Sequence, residues 1–64
     1  MFEIGDIVRF RHWSNKLWEE GTWIIIDQNV VELSYGDKGY TYDIQNQETG
    51  EFHFQVNWQQ IESV

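Results

Sequence analysis

The sequence predicts an all-β fold: a five-stranded antiparallel barrel with a short 3₁₀ turn near its C-terminus. Three observations carry that expectation. Five glycines, Gly5, Gly21, Gly36, Gly39 and Gly50, cut the chain into short segments. Those segments are rich in β-branched and aromatic residues, which suit a pleated, half-buried surface. Several of them alternate apolar and polar side chains with the period of two that places successive residues on opposite faces of a strand. Residues 1–64 are enough for one domain and too few for a second core.

The first strand is IGDIVRFRH. Its alternation puts Val8 and Phe10 on the core face and Arg9 and Arg11 on the other. WSNKLWEE follows as a loop in which Ser14 or Asn15 could cap one helical turn, with too few residues before Gly21 for a full helix. GTWIIID is the second strand, and its unbroken apolar run fits a strand covered on both faces or one that is strongly bent. Asp27-Gln28-Asn29 supplies turn chemistry, after which VVELSY resumes the strand pattern with Val31, Leu33 and Tyr35 on one side. Gly36-Asp37-Lys38-Gly39 is the strongest turn signal in the chain. YTYDIQNQETGEFHFQV reads as a hairpin closed at Glu48-Thr49-Gly50, with Tyr40, Tyr42 and Ile44 on one face, and Phe52, Phe54 and Val56 sharing a face of the other strand. Asn57-Trp58-Gln59-Gln60 forms the 3₁₀ turn before Ile61 returns to the core.

A chain this short buries only roughly 60% of its unfolded surface, so its stability margin is small. It contains no cysteine, which removes disulfides and thiolate metal sites. Aromatic burial is the expected substitute, since 17% of the residues are Phe, Trp or Tyr. No segment approaches the roughly 20 apolar residues that span a bilayer. The start, MFEIGD, lacks the basic and apolar run of a signal peptide, so the expectation is a soluble, cytoplasmic protein without membrane contact. The net charge of −7 is uneven: residues 1–16 sum to +1 and residues 17–64 to −8. An anionic surface repels a phosphate backbone, which disfavours general nucleic-acid binding.

Taken in order, Gly5-Asp6-Ile7-Val8, Gly21-Thr22-Trp23, the stretch from Tyr42 to Gly50, and the closing Ile61-Glu62 resemble the SH3-like small barrels, especially the Tudor and KOW-type branches. The chain is also similar to the short, acidic single-domain proteins that phages and bacteria encode. The resemblance covers nearly the whole chain and implies a barrel that binds peptides, modified side chains or RNA. Four Lys/Arg against eleven acids argues against the RNA branch. The A-L-Y-D-Y-like start of a proline-binding SH3 domain is missing, so neither specific activity carries over. Tudor-type barrels build an aromatic cage near the loop after the first strand and the turn between the third and fourth. The resemblance therefore points to Trp13, Trp18, Tyr42 and Asp43 as partner-binding residues.

Catalysis has no constellation to stand on. Ser14, Ser34 and Ser63 lie outside any nucleophile-elbow pattern, and no spacing links His12 or His53 to a nucleophile. The two histidines could meet across strands, but no metal-ligand spacing accompanies them, and solvated histidines on strands are the simpler reading. No enzyme, cofactor or metal is expected. Arg9 and Arg11, beside Trp13 on one strand face, instead make a cationic-aromatic patch on an anionic protein, and arginine and tryptophan are the residues most often energetic at interfaces. The plain alternative is that both arginines pair with Glu19 and Glu20, and that Trp18 and Trp23 plug the ends of the barrel. The function expected is a non-enzymatic module for a protein or peptide partner, working through Arg9, Arg11, Trp13, Trp18, Tyr42 and Asp43. Two rivals remain: an acidic decoy that imitates nucleic acid through Asp27, Glu32, Asp37, Asp43, Glu48 and Glu51 at exposed positions, and an assembly subunit that forms a homo-oligomer.

Overall fold

The structure is a computed structural model that describes residues 2–12 and 17–64. Five strands, β1 (Ile7–Phe10), β2 (Trp23–Glu32), β3 (Lys38–Asn46), β4 (Phe52–Asn57) and β5 (Ile61–Ser63), form one sheet. Every pairing is antiparallel, and the order is β4-β3-β2-β1-β5. The all-β class, the five antiparallel strands and the 3₁₀ turn at Trp58–Gln60 follow the sequence expectation. Closure into a barrel does not. Among the described residues the two edges, β4 and β5, do not pair with each other. Closure needs an edge-to-edge ladder, and β5, three residues long, is paired to β1.

The membership of the five strands also differs from the expectation. Asp27-Gln28-Asn29 is no turn, because β2 runs through it in register with Asp43, Tyr42 and Thr41 of β3. Turn-type side chains here bond locally, as where the Asp27 carboxylate accepts the Gln28 amide at 2.8 Å, while the backbone stays in the ladder. The apolar run resolves as the bent alternative: the register shifts between Ile25 and Asp27, so Ile26 is the extra residue of a bulge that bends the strand. The reversal after β2 lies earlier than Gly36–Gly39. The Leu33 amide donates to the Asp37 carbonyl at 2.7 Å, and Lys38 and Gly39 already belong to β3. Tyr35, expected on a strand face with Val31 and Leu33, sits fully exposed at this tip with φ 73°.

One face of the sheet carries the core: Val8, Phe10, Trp23, Ile25, Tyr42, Ile44, Val56 and Ile61, with Phe2 and Tyr40 packed against it. The inward sets of β1 and β3 are those that alternation predicts. In β4 the expected common face of Phe52, Phe54 and Val56 breaks. The register with β3 passes from Tyr42↔Val56 to Ile44↔His53, which places one extra residue in β4, and Gln55 takes φ 54° there. The bulge reverses the alternation, so His53 and Val56 face inward while Phe52 and Phe54 stack on the outside, centroids 5.9 Å apart.

The β3–β4 turn is organised by a buried asparagine. Asn46 Oδ1 accepts the amides of Glu48 at 2.8 Å and Thr49 at 2.9 Å, and Gly50 closes the turn at φ 77°. Asn46→Ala orphans both amides and is expected to cost about 1–2 kcal/mol in urea denaturation. Asn46→Asp keeps the acceptor oxygen and should recover most of that loss. Equal losses in the two variants would mean that the hydrogen bonds are not what holds the turn.

Candidate functional site

The outward face of β1 is built by alternation and completed by a chain return. Arg9 lies opposite Glu62 in the β1–β5 ladder, and the two pair at 3.5 Å between Arg9 Nη1 and Glu62 Oε1. Both side chains are about half exposed, so this pair contributes only about 0–1 kcal/mol. Farther along the chain, the Glu19 amide donates to the Phe10 carbonyl at 2.7 Å. That bond lays the residues before Gly21 against β1. Phe10 faces the core, and Trp18 meets the two arginines that flank Phe10 in sequence. The Arg9 guanidinium carbon lies 5.1 Å from the Trp18 ring centroid, and that of Arg11 lies 4.9 Å away. Each contact is an attraction between a cation and the negative face of a ring, about 0.5–2 kcal/mol depending on solvent exposure.

Arg11 is held by the 3₁₀ turn. Its amide donates to the Gln60 carbonyl at 2.9 Å, and its carbonyl accepts Gln60 Nε2 at 3.3 Å. Its Nη2 donates to the Gln59 carbonyl at 3.4 Å. Gln60 is itself buried, and its Oε1 accepts the Asn57 amide at 3.1 Å. Among the described residues Arg11 makes no ion pair. The plain alternative, in which both arginines pair with Glu19 and Glu20, is not seen among the described residues. Arg9 takes Glu62, while Glu19 lies 3.2 Å from His12 Nε2.

Of the six residues singled out from the sequence, the structure brings three together: Arg9, Arg11 and Trp18. Trp13 lies outside the described residues. Tyr42 does not join this face. It is 2% exposed, belongs to the core and meets Phe2 edge to face at 5.6 Å. It stands on the inward face of β3, whereas Arg9 and Arg11 stand on the outward face of β1. Asp43 does not join either. Its Oδ1 accepts Asn29 Nδ2 at 3.2 Å and the Gln55 amide at 3.1 Å, so it ties β2 and β4 together across the β4 bulge.

His53 differs from the solvated reading, while the His12 side chain stays partly exposed. His53 faces inward against Phe10 and Trp23, with centroids at 4.7 and 5.2 Å, and its ring lies 5.0 Å from that of His12. Glu51 Oε1 stands 3.8 Å from His53 Nε2. No cluster of three or more His, Asp or Glu among the described residues is arranged to hold a metal ion.

A second feature went unread in the sequence. Phe2, the tip residue Leu33, the start of β3 from Lys38 to Tyr40, Tyr42, and Trp58 of the 3₁₀ turn line a cleft of about 320 Å³. Gly39 belongs to its wall because a side chain there would press on Leu33, whose Cδ1 would be 3.3 Å from an added Cβ. Phe2 and Trp58 come from opposite ends of the chain, so no local pattern places them together. No helix among the described residues is long and apolar enough to cross a membrane. No family model, no curated protein and no solved structure matches the chain.

Proposed function

We propose that the chain is a non-enzymatic binding module whose working surface is the Arg9–Trp18–Arg11 face. Its partner is a protein or peptide that presents a carboxylate beside an apolar side chain. The observation that carries this reading is Arg11. In a chain of net charge −7, its guanidinium rests on an aromatic ring and has no carboxylate partner among the described residues. A guanidinium has five N–H donors, and Arg11 gives one of them to the Gln59 carbonyl. The rest suit a planar carboxylate, and Trp18 offers the apolar surface next to it. The strand order, with β1 between β2 and β5 and a 3₁₀ turn leading into β5, supports an SH3-like ancestry of the Tudor or KOW type. The lack of cysteine fits work in the cytoplasm.

Affinity capture from extract with the wild-type chain and with Arg11→Gln as paired baits tests the reading. A protein retained by the first should be lost by the second, with at least about a tenfold drop in affinity in a direct titration. Arg11→Gln is a surface change, so the thermal midpoint should stay within a few degrees. Identical capture by both baits would sink the assignment. The decoy reading is favoured by the exposure of Asp27, Glu32, Asp37, Glu48 and Glu51, although Asp43 is engaged inside the fold. Under it, affinity falls steeply with ionic strength and ignores Arg11→Gln.

A further inference from the structure

The cleft beside Tyr42 has a chemistry of its own. Aromatic rings supply most of its wall: Phe2, Tyr40, Tyr42 and Trp58. Its volume, about 320 Å³, is at the small end of the range for ligand sites, roughly 300–1,000 Å³. A ring-lined cleft of this kind attracts cations when nothing opposes it. Here the one charged residue of the lining is Lys38, which makes no ion pair among the described residues. Lys38 is one of four Lys/Arg in the chain, and it repels a cation from the mouth of the cleft. The wall also holds a polar group that can take a partner. Tyr42 is 2% exposed and lines the cleft, and its hydroxyl makes no hydrogen bond among the described residues. The hydroxyl is not one of the fully buried unpaired atoms, which among the described residues are Trp23 Nε1 and Thr41 Oγ1, so it is available to donate to a ligand oxygen.

We propose that this cleft is a binding site for an apolar, ring-sized group that carries a carboxylate. The apolar body sits among Phe2, Tyr40, Tyr42 and Trp58. The carboxylate takes its charge partner from Lys38 and accepts the Tyr42 hydroxyl. The site is distinct in residues from the Arg9–Trp18–Arg11 face, and it stands whether or not that face binds a partner.

Titration of the ¹⁵N-labelled full chain, followed by NMR, tests it with three probes of one shape: 1-naphthoate, 1-naphthalenemethanol and trimethyl(1-naphthyl)ammonium. Naphthoate is expected to bind saturably and to move the amides of Gly39, Tyr40, Tyr42 and Trp58. The neutral alcohol should bind about tenfold more weakly, and the ammonium more weakly still. Lys38→Gln, an exposed change that leaves the core intact, should erase most of the preference for acid over alcohol. Tyr42→Phe should weaken naphthoate several-fold while leaving the alcohol nearly unchanged. A pentapeptide ending in phenylalanine, as free acid and as amide, separates the two sources of such a group. A free acid that outbinds naphthoate and loses about tenfold on amidation marks a protein C-terminus. Naphthoate binding as well as the peptide marks a small organic acid. Alcohol or ammonium binding as tightly as naphthoate overturns the proposal, and so does the absence of saturable shifts at these amides with every probe.

Discussion

Trp23→Ala is expected to remove most of the stability of the fold. Trp23 is 2% exposed, pairs with Val8 across the β1–β2 ladder, and meets Phe10 at 5.3 Å and His53 at 5.2 Å. It therefore joins β1, β2 and β4 at one point. Truncating a buried tryptophan costs about 3–5 kcal/mol, from lost transfer free energy and from the cavity left behind. The whole domain has roughly 3–10 kcal/mol to lose, by the usual stability per residue. The thermal midpoint should fall by roughly 15–30 °C, read by near-ultraviolet circular dichroism. Trp23→Phe supplies the contrast. The indole Nε1 is buried and has no hydrogen-bond partner among the described residues, so phenylalanine keeps a ring against Phe10 while deleting an orphan donor. The small cavity and the relieved donor nearly cancel, leaving the variant within about 1 kcal/mol of wild type. If Trp23→Phe costs as much as Trp23→Ala, the N–H is satisfied and the contrast fails.

What alternation can carry was legible in the sequence, and what depends on a phase change was not. Val8 and Phe10, Tyr42 and Ile44, and the return of Ile61 all follow from period two and from turn chemistry. The two bulges do not. Each adds one residue to a strand, at Ile26 and near Gln55, with no glycine to mark it, and the second turns Phe52 and Phe54 outward and His53 inward. Asp27-Gln28-Asn29 misled for a related reason: residues that favour turns are harmless in a strand whose amides and carbonyls are already paired with β3.

The candidate site divides along the same line. Arg9 and Arg11 were placed by the alternation of β1, but the ring set beside them from the sequence was Trp13, whereas the ring they share among the described residues is Trp18. Its seating between them depends on a backbone bond from Glu19 to Phe10 across the described part of the loop. Tyr42 and Asp43 were drawn to that face by likeness to aromatic cages, and the inward face of β3 and the β4 bulge claim them instead. The cleft had a partial signal, since the rings outnumber what so thin a core can hide. Which of them meet there depends on contacts between residue 2 and residue 58, beyond the reach of any local pattern.

Gln60→Leu is expected to lower stability by about 2–4 kcal/mol and to disturb the arginine face at the same time. A leucine fills a similar volume, so the loss is polar rather than steric. The Gln60 amide group spans two elements: its Oε1 accepts the Asn57 amide, and its Nε2 donates to the Arg11 carbonyl. Leucine leaves one donor and one acceptor unpaired next to a buried position. Asn57→Ala removes only the other half of the cap, where Asn57 Oδ1 accepts the Gln59 amide at 2.9 Å, and should cost about 1 kcal/mol. The two changes act on one turn, so their double variant should depart from additivity by about 0.5 kcal/mol or more in urea denaturation. The stronger discrimination lies at Trp18. Arg11 loses an anchor in Gln60→Leu and keeps it in Asn57→Ala. The indole resonance of Trp18 should therefore move in the first variant and hold in the second. A resonance that holds in both would mean that Arg11 is positioned by its stacking on Trp18 alone, and that the 3₁₀ turn supports the fold without supporting the site.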